Sequence, residues 1–192
     1  MKFLNALLTG IAVVASVSAP ALAETYNIDT AGAHASINFR ISHLGYSWLE
    51  GRFDSFEGSF SFDENDPTAS SVAVTIDTSS VNSNHAERDN HLRSADFLDV
   101  GAHPQASFTS KRVEQIDETT IRLIGDLTLR GMTKPIEIDA KRIGGGKDPW
   151  GNYRQGFVGT TSILLADFGI PFDLGPASKE VFLTFNVEGI KQ

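Results

Sequence analysis

The 192-residue chain has no cysteine. Disulfides, thiol nucleophiles and a lipid anchor on cysteine are thereby excluded, and stability must come from an ordinary apolar core. Other absences narrow the chemistry. There is no Gly-x-Ser-x-Gly elbow to present a serine nucleophile. There is no Gly-x-Gly-x-x-Gly or Walker-type loop either. The run Gly144-Gly145-Gly146-Lys147 lacks the spacing and the following Ser/Thr of a phosphate cradle. Basic residues are scarce beside acids, 16 Lys and Arg against 24 Asp and Glu, for a net charge of −8. An acidic surface argues against nucleic acid and against anionic membrane faces as partners.

Long hydrophobic runs are absent too, with one exception at the start. Lys2 is followed by an uncharged apolar run from Phe3 to Val17, then Pro20 and Ala21-Leu22-Ala23. A basic first region, an apolar middle and an A-x-A site are what signal peptidase reads. Residues 1–23 are predicted to be a cleaved signal peptide, with residues 24–192 forming one domain in the periplasm. Ser16, Ser18 and Pro20 interrupt the run, so no stable membrane anchor is expected. Loss of Lys2 takes the net charge from −8 to −9.

What the sequence has in quantity is phenylalanine, 13 residues against 2 Trp and 3 Tyr. Phe brings large apolar area without a polar group to satisfy. Period-two alternation dominates the chain. Ile37, Phe39 and Ile41 share one face, as do Phe56, Gly58, Phe60 and Phe62, then Val72, Val74 and Ile76. Ile121, Leu123, Gly125, Leu127 and Leu129 form the longest stripe. Ile136 and Ile138 follow, then Phe157, Gly159 and Ile163, and finally Val181, Leu183, Phe185 and Val187. Such alternation gives strands with one dry and one wet face. Gly and Pro punctuate the gaps at 63–67, 130–135 and 144–151. The expected class is all-β, a closed antiparallel barrel of about eight strands with one short helix. Gly58, Gly125 and Gly159 on the inward stripes favour a barrel over a sandwich, because strongly bent strands need residues without Cβ. The helix is predicted over residues 85–95, with Asn84 as N-cap, Glu87 completing a capping box, and an Asp89–Arg93 pair along it.

The stripes offer a candidate site. Phe39, Ile41, Phe60, Phe62, Phe108, Leu123, Leu127, Phe157, Ile163, Leu183 and Phe185 point inward, either filling a dry core or lining a cavity. His43, Tyr46 and Trp48, at the end of the first stripe, would then stand at its mouth. Histidines raise a metal reading, since His85 and Asp89, and Glu87 and His91, share helix faces. A site of that kind needs at least three converging ligands, which this spacing does not demand. No metal and no cofactor are therefore predicted. His43 and His91 would be the first suspects if the protein were an enzyme. A protein-binding module with a solid core is the other rival. A C2 homodimer is the default assembly, with no wet-face stripe to mark its surface.

Five stretches carry a resemblance. They are Arg40-Ile41-Ser42-His43-Leu44-Gly45 with Gly51-Arg52-Phe53, and the run from Glu87 to Phe97. Next come Gly125 to Leu129 and Gly131 to Pro135. Asp148-Pro149-Trp150-Gly151 with Arg154, Gly156 and Phe157 is the fourth, and Asp167-Phe168-Gly169 the last. In this order they resemble the YceI-like, polyisoprenoid-binding periplasmic family, and they span nearly the whole mature chain. The resemblance implies a lipocalin-like barrel that takes a long-chain isoprenoid or acyl lipid into an elongated cavity, with no assigned catalytic residues. It turns the eleven inward residues and His43 into ligand-binding candidates. Arg130 departs from the family pattern, standing where many members carry His, which weakens any general role for that position in binding.

Overall fold

Wherever apolar and polar residues alternate, the backbone extends and pairs. The computed structural model describes residues 23–170 and 174–192. Except for Ala23, the expected signal peptide lies outside the described residues. Among those described, no helix is long and apolar enough to cross a membrane. Eleven strands run in chain order. They are β1 (Glu24–Ile28), β2 (Ser36–His43), β3 (Ser47–Phe53), β4 (Phe56–Phe62), β5 (Ser71–Asp77) and β6 (Val81–Asn82). After helix α1 (Ala86–Arg93) come β7 (Gln105–Gln115), β8 (Thr120–Leu129), β9 (Met132–Lys147), β10 (Tyr153–Leu164) and β11 (Glu180–Lys191).

Eight of these close into a ring in the order β1-β4-β5-β7-β8-β9-β10-β11, and β11 returns to β1 through Tyr26 opposite Lys191 and Ile28 opposite Gly189. Every pairing is antiparallel, so the fold is the closed eight-stranded barrel with one helix expected from the alternation together with the inward glycines. Along the edge it turns to β1, β11 also takes β2, from Val181 opposite Ile41 to Asn186 opposite Ser36. The β2–β3 hairpin and the short β6 extend the wall at that end.

Two strands carry an extra residue. Lys111 is unpaired between Ser110 and Arg112 of β7, and Ile143 is skipped between Arg142 and Gly144 of β9. A bulge bends its strand and changes which parity faces inward. Ala106 and Phe108 are buried before the β7 bulge, and Val113 after it. Gly125 sits opposite this bend. A Cβ there would lie 2.3 Å from the Thr109 carbonyl oxygen and 2.7 Å from Cζ of Phe108, so the wall can close only without one.

The helix starts one residue later than the capping-box reading places it. Asn84 takes a left-handed conformation (φ 61°), its N–H held by Oδ1 of Asn82. The chain therefore turns at Asn84, and His85 becomes the N-cap, its Nδ1 accepting the Arg88 N–H at 3.2 Å. The pairing along the helix differs too. Asp89 is buried and accepts the Ser83 N–H at 2.7 Å and the Ser83 hydroxyl, while Arg93 donates to the carbonyls of Ser79 (2.6 Å) and Val81 (2.8 Å). These bonds lash α1 to the barrel wall. Arg130 completes the closure, donating to the carbonyls of Gly169 and Ala95 (2.9 Å).

Candidate functional site

The inward stripes do not meet. They leave a cavity of about 220 Å³ running along the barrel axis. One end of its lining is Phe62 and Ser70, and the other is Leu92 of α1 with Phe97, Leu98, Leu165 and Ile170. Between them stand the side chains of the ring, and among the described residues no ionisable one lines the cavity. An apolar cavity of about 150 Å³ already stays dry and accepts a small hydrocarbon, so a larger void of this lining favours an apolar occupant over water. Leu123, Leu183 and Phe185 are only partly buried although they point inward. They pack against the buried cluster and also border the void.

Of the twelve candidate ligand-binding residues, ten line this cavity: Phe39, Phe60, Phe62, Phe108, Leu123, Leu127, Phe157, Ile163, Leu183 and Phe185. Ile41 and His43 do not. Ile41 pairs with Val181 near the start of β11, and His43 lies beyond the β11 pairing and pairs with Ser47 of β3. Tyr46 and Trp48 are not at a mouth either. Tyr46 is exposed, and Trp48 lies against Phe182 with the Arg40 guanidinium 4.7 Å from its ring centre. Phe182 alternates with the inward Val181 and Leu183, which places this trio on the outer face. His91 is outside the lining as well, its Nε2 3.0 Å from Oδ2 of Asp96 and its ring edge-on to Phe97.

Leu92, Phe97, Leu98, Leu165, Ile170 and Ser70 are lining residues that the strand stripes do not single out. Most lie in the helix or in loops, where period-two alternation carries no information. Ser70 is the exception. It continues the series Val72, Val74, Ile76 one step back and was readable from that parity.

A second cluster lies on the outer wall, where β1 ends beside β10 and β11. Arg154 reaches Asp148 and Asp29, each at 2.7 Å, and also Glu188, while Nδ1 of His34 is 2.9 Å from Asp29. Asp29, His34 and Glu188 have metal-ligand spacing. The Arg154 guanidinium already supplies the positive charge there, so this is a structural ion cluster. His34 and Arg154 bound to Asp29 hold its carboxyl down at about 2, and Arg154 does the same to Asp148, also about 2. Both lie below their unfolded values, so their contribution to stability is present above about pH 4 and is lost as pH falls toward about 2. Thermal melts should show wild type losing stability over that window. Arg154→Met should be much less stable near neutrality and lose less on acidification. A constant gap between the two proteins from pH 7 to 2 would contradict this coupling.

The profile of the YceI-like domain matches residues 26–189. The chain belongs to that family. A UPF0312 protein of Ectopseudomonas mendocina is 55% identical over 188 residues, covering 98% of each chain. Among solved structures, the Campylobacter jejuni YCEI protein superposes with a TM-score of 0.72 at 31% identity, covering 79% of this chain and 90% of the other. A polyisoprenoid binding domain from Saccharophagus degradans shares the fold at 18% identity, with a TM-score of 0.62 over 87% of this chain and 98% of its own. Two blocks of the YceI-like resemblance now have visible work. Glu87 to Phe97 builds the closure of the cavity, and Asp148 to Arg154 builds the ion cluster that fastens the β9–β10 loop to β1 and β11.

Proposed function

We propose that this YceI-like protein is a periplasmic carrier that sequesters a long-chain isoprenoid or acyl lipid inside the barrel. The observation that carries the reading is the void whose lining, among the described residues, is almost all hydrocarbon with no ionisable group. Such a lining replaces water along an apolar chain. At roughly 0.3 kcal/mol per ligand atom, a twenty-carbon chain gains about 6 kcal/mol, a dissociation constant of roughly tens of micromolar. The description of the Saccharophagus degradans domain as polyisoprenoid binding accords with this chemistry. The basic, apolar and A-x-A pattern of residues 1–23 supports export to the periplasm. Among the described residues no nucleophile–base pair lines the space a substrate would fill.

Protein purified from its native host and extracted with organic solvent should release one lipid in near-stoichiometric amount, identified by mass spectrometry. Repeated extracts without such a lipid would defeat the carrier reading.

A further inference from the structure

Ser61, Ser70 and Ser71 are the polar side chains of the cavity lining, and of the three only the Ser70 hydroxyl has no partner. The stripe of β5 faces the lumen with Val72, Val74 and Ile76, and one step back in the same parity stands Ser70, also a lining residue. Among the described residues, the Ser70 hydroxyl is one of two buried side-chain polar atoms without a hydrogen-bond partner, the other being Nε of Arg130. Arg130 belongs to the opposite end, bonded to Gly169 and Ala95. The Ser70 backbone N–H is already committed to the Pro67 carbonyl at 3.2 Å, so only the side chain is spare. The neighbouring hydroxyls of Ser61 and Ser71 satisfy each other at 2.8 Å. A buried hydroxyl left unpaired is destabilising. Water is a poor remedy here, since a buried water needs two to four polar partners.

We propose that Ser70 is the head-group site of the cavity, and that it selects an amphiphile ending in a neutral oxygen, an alcohol or a carbonyl. This rests on reading the lumen as a ligand cavity and fixes the direction of the ligand within it. The polar end lies at Ser70 and Phe62, and the tail runs toward Leu92 and Phe97. Neutrality follows from the surroundings. The Arg142 guanidinium lies 5.7 Å from the Phe62 ring centre, and it is engaged by Glu64 at 2.9 Å and Gln155 at 3.2 Å. A carboxylate or diphosphate at Ser70 would give up its hydration in return for a single hydroxyl, which is unfavourable. An alcohol or carbonyl needs only the one bond that Ser70 can make.

The test uses the full mature protein, stripped of lipid on a hydrophobic resin, with calorimetric titration of three probes sharing one carbon tail: farnesol, farnesene and farnesyl diphosphate. In wild type, the affinity ratio of farnesol to farnesene should exceed that in Ser70→Ala by roughly three- to tenfold, the worth of one buried hydrogen bond. Farnesene should bind both proteins alike, which also shows that the variant is folded. Farnesyl diphosphate should bind wild type more weakly than farnesol. An unchanged ratio in Ser70→Ala, or a diphosphate that binds tightest, would overturn the head-group assignment and leave the cavity reading standing. If no probe binds either protein, the cavity reading falls and the assignment with it.

Discussion

Replacing Leu123 and Leu183 together by Trp should leave a folded barrel that has lost roughly a hundredfold in affinity for farnesol. The two side chains come from β8 and β11, three places apart in the ring, and both reach into the void. Two indoles there exclude about ten ligand carbons. At roughly 0.3 kcal/mol per atom this costs about 3 kcal/mol of binding, or about two orders of magnitude. The same substitutions in a filled core would crowd it and destabilise the fold. Here they enter empty space, so the melting temperature should stay within about 5 °C of wild type. Titration and thermal melts on the same preparation separate the outcomes. Full affinity in the double variant would mean that ligand binds elsewhere, whereas a collapsed melting temperature would mean that the interior is not hollow at this level.

Gly125→Val makes the opposite prediction, a loss of stability without an empty volume to absorb it. The Cβ of any side chain at Gly125 would sit 2.3 Å from the Thr109 carbonyl oxygen and 2.8 Å from Cα of Ser110. Both are backbone atoms of β7, so relief requires the strands to part beside the Lys111 bulge. Overpacking of this kind costs about 3 kcal/mol, and with about 2–4 °C per kcal/mol the melting temperature should drop by roughly 6–12 °C. The control is Leu129→Val, at another inward position of β8, which only removes volume and should cost less. Equal losses in the two variants would show that the bend at Gly125 does not depend on the missing Cβ.

The contrast between these variants also explains what the sequence could reveal. Inward and outward faces of β4, β5, β8, β10 and β11 were legible, because in a barrel wall one side is dry along the whole strand. The end of β2 was not. Ile41 and His43 obey the same alternation as Phe39, yet neither lines the cavity, and alternation carries no information about height along the axis. Asn84 illustrates a second limit. As a side chain it is as good a cap as any, but its left-handed backbone moves the cap to His85. The Arg154 cluster marks a third limit, since Asp29 and Arg154 lie 125 residues apart in the chain and meet only because β1, β10 and β11 are neighbours. Ser70 was within reach, hidden only because a single serine before a stripe reads as a turn.

The position of β11 has a consequence for how the molecule comes into being. It is the last strand in the chain, and it pairs with β10, with β1 and with β2, so its edges seal both walls. Lys191 reaches Glu24, 167 residues away in the chain, and the Gln192 N–H reaches the Thr25 carbonyl beside it. Pairings of such separation form late, because the intervening chain must first be brought into order. Until β11 has docked, β10 has a bare edge and the lumen has an open side. The chamber is closed only when β11 is in place, and a molecule inside it is enclosed by that strand on three pairings.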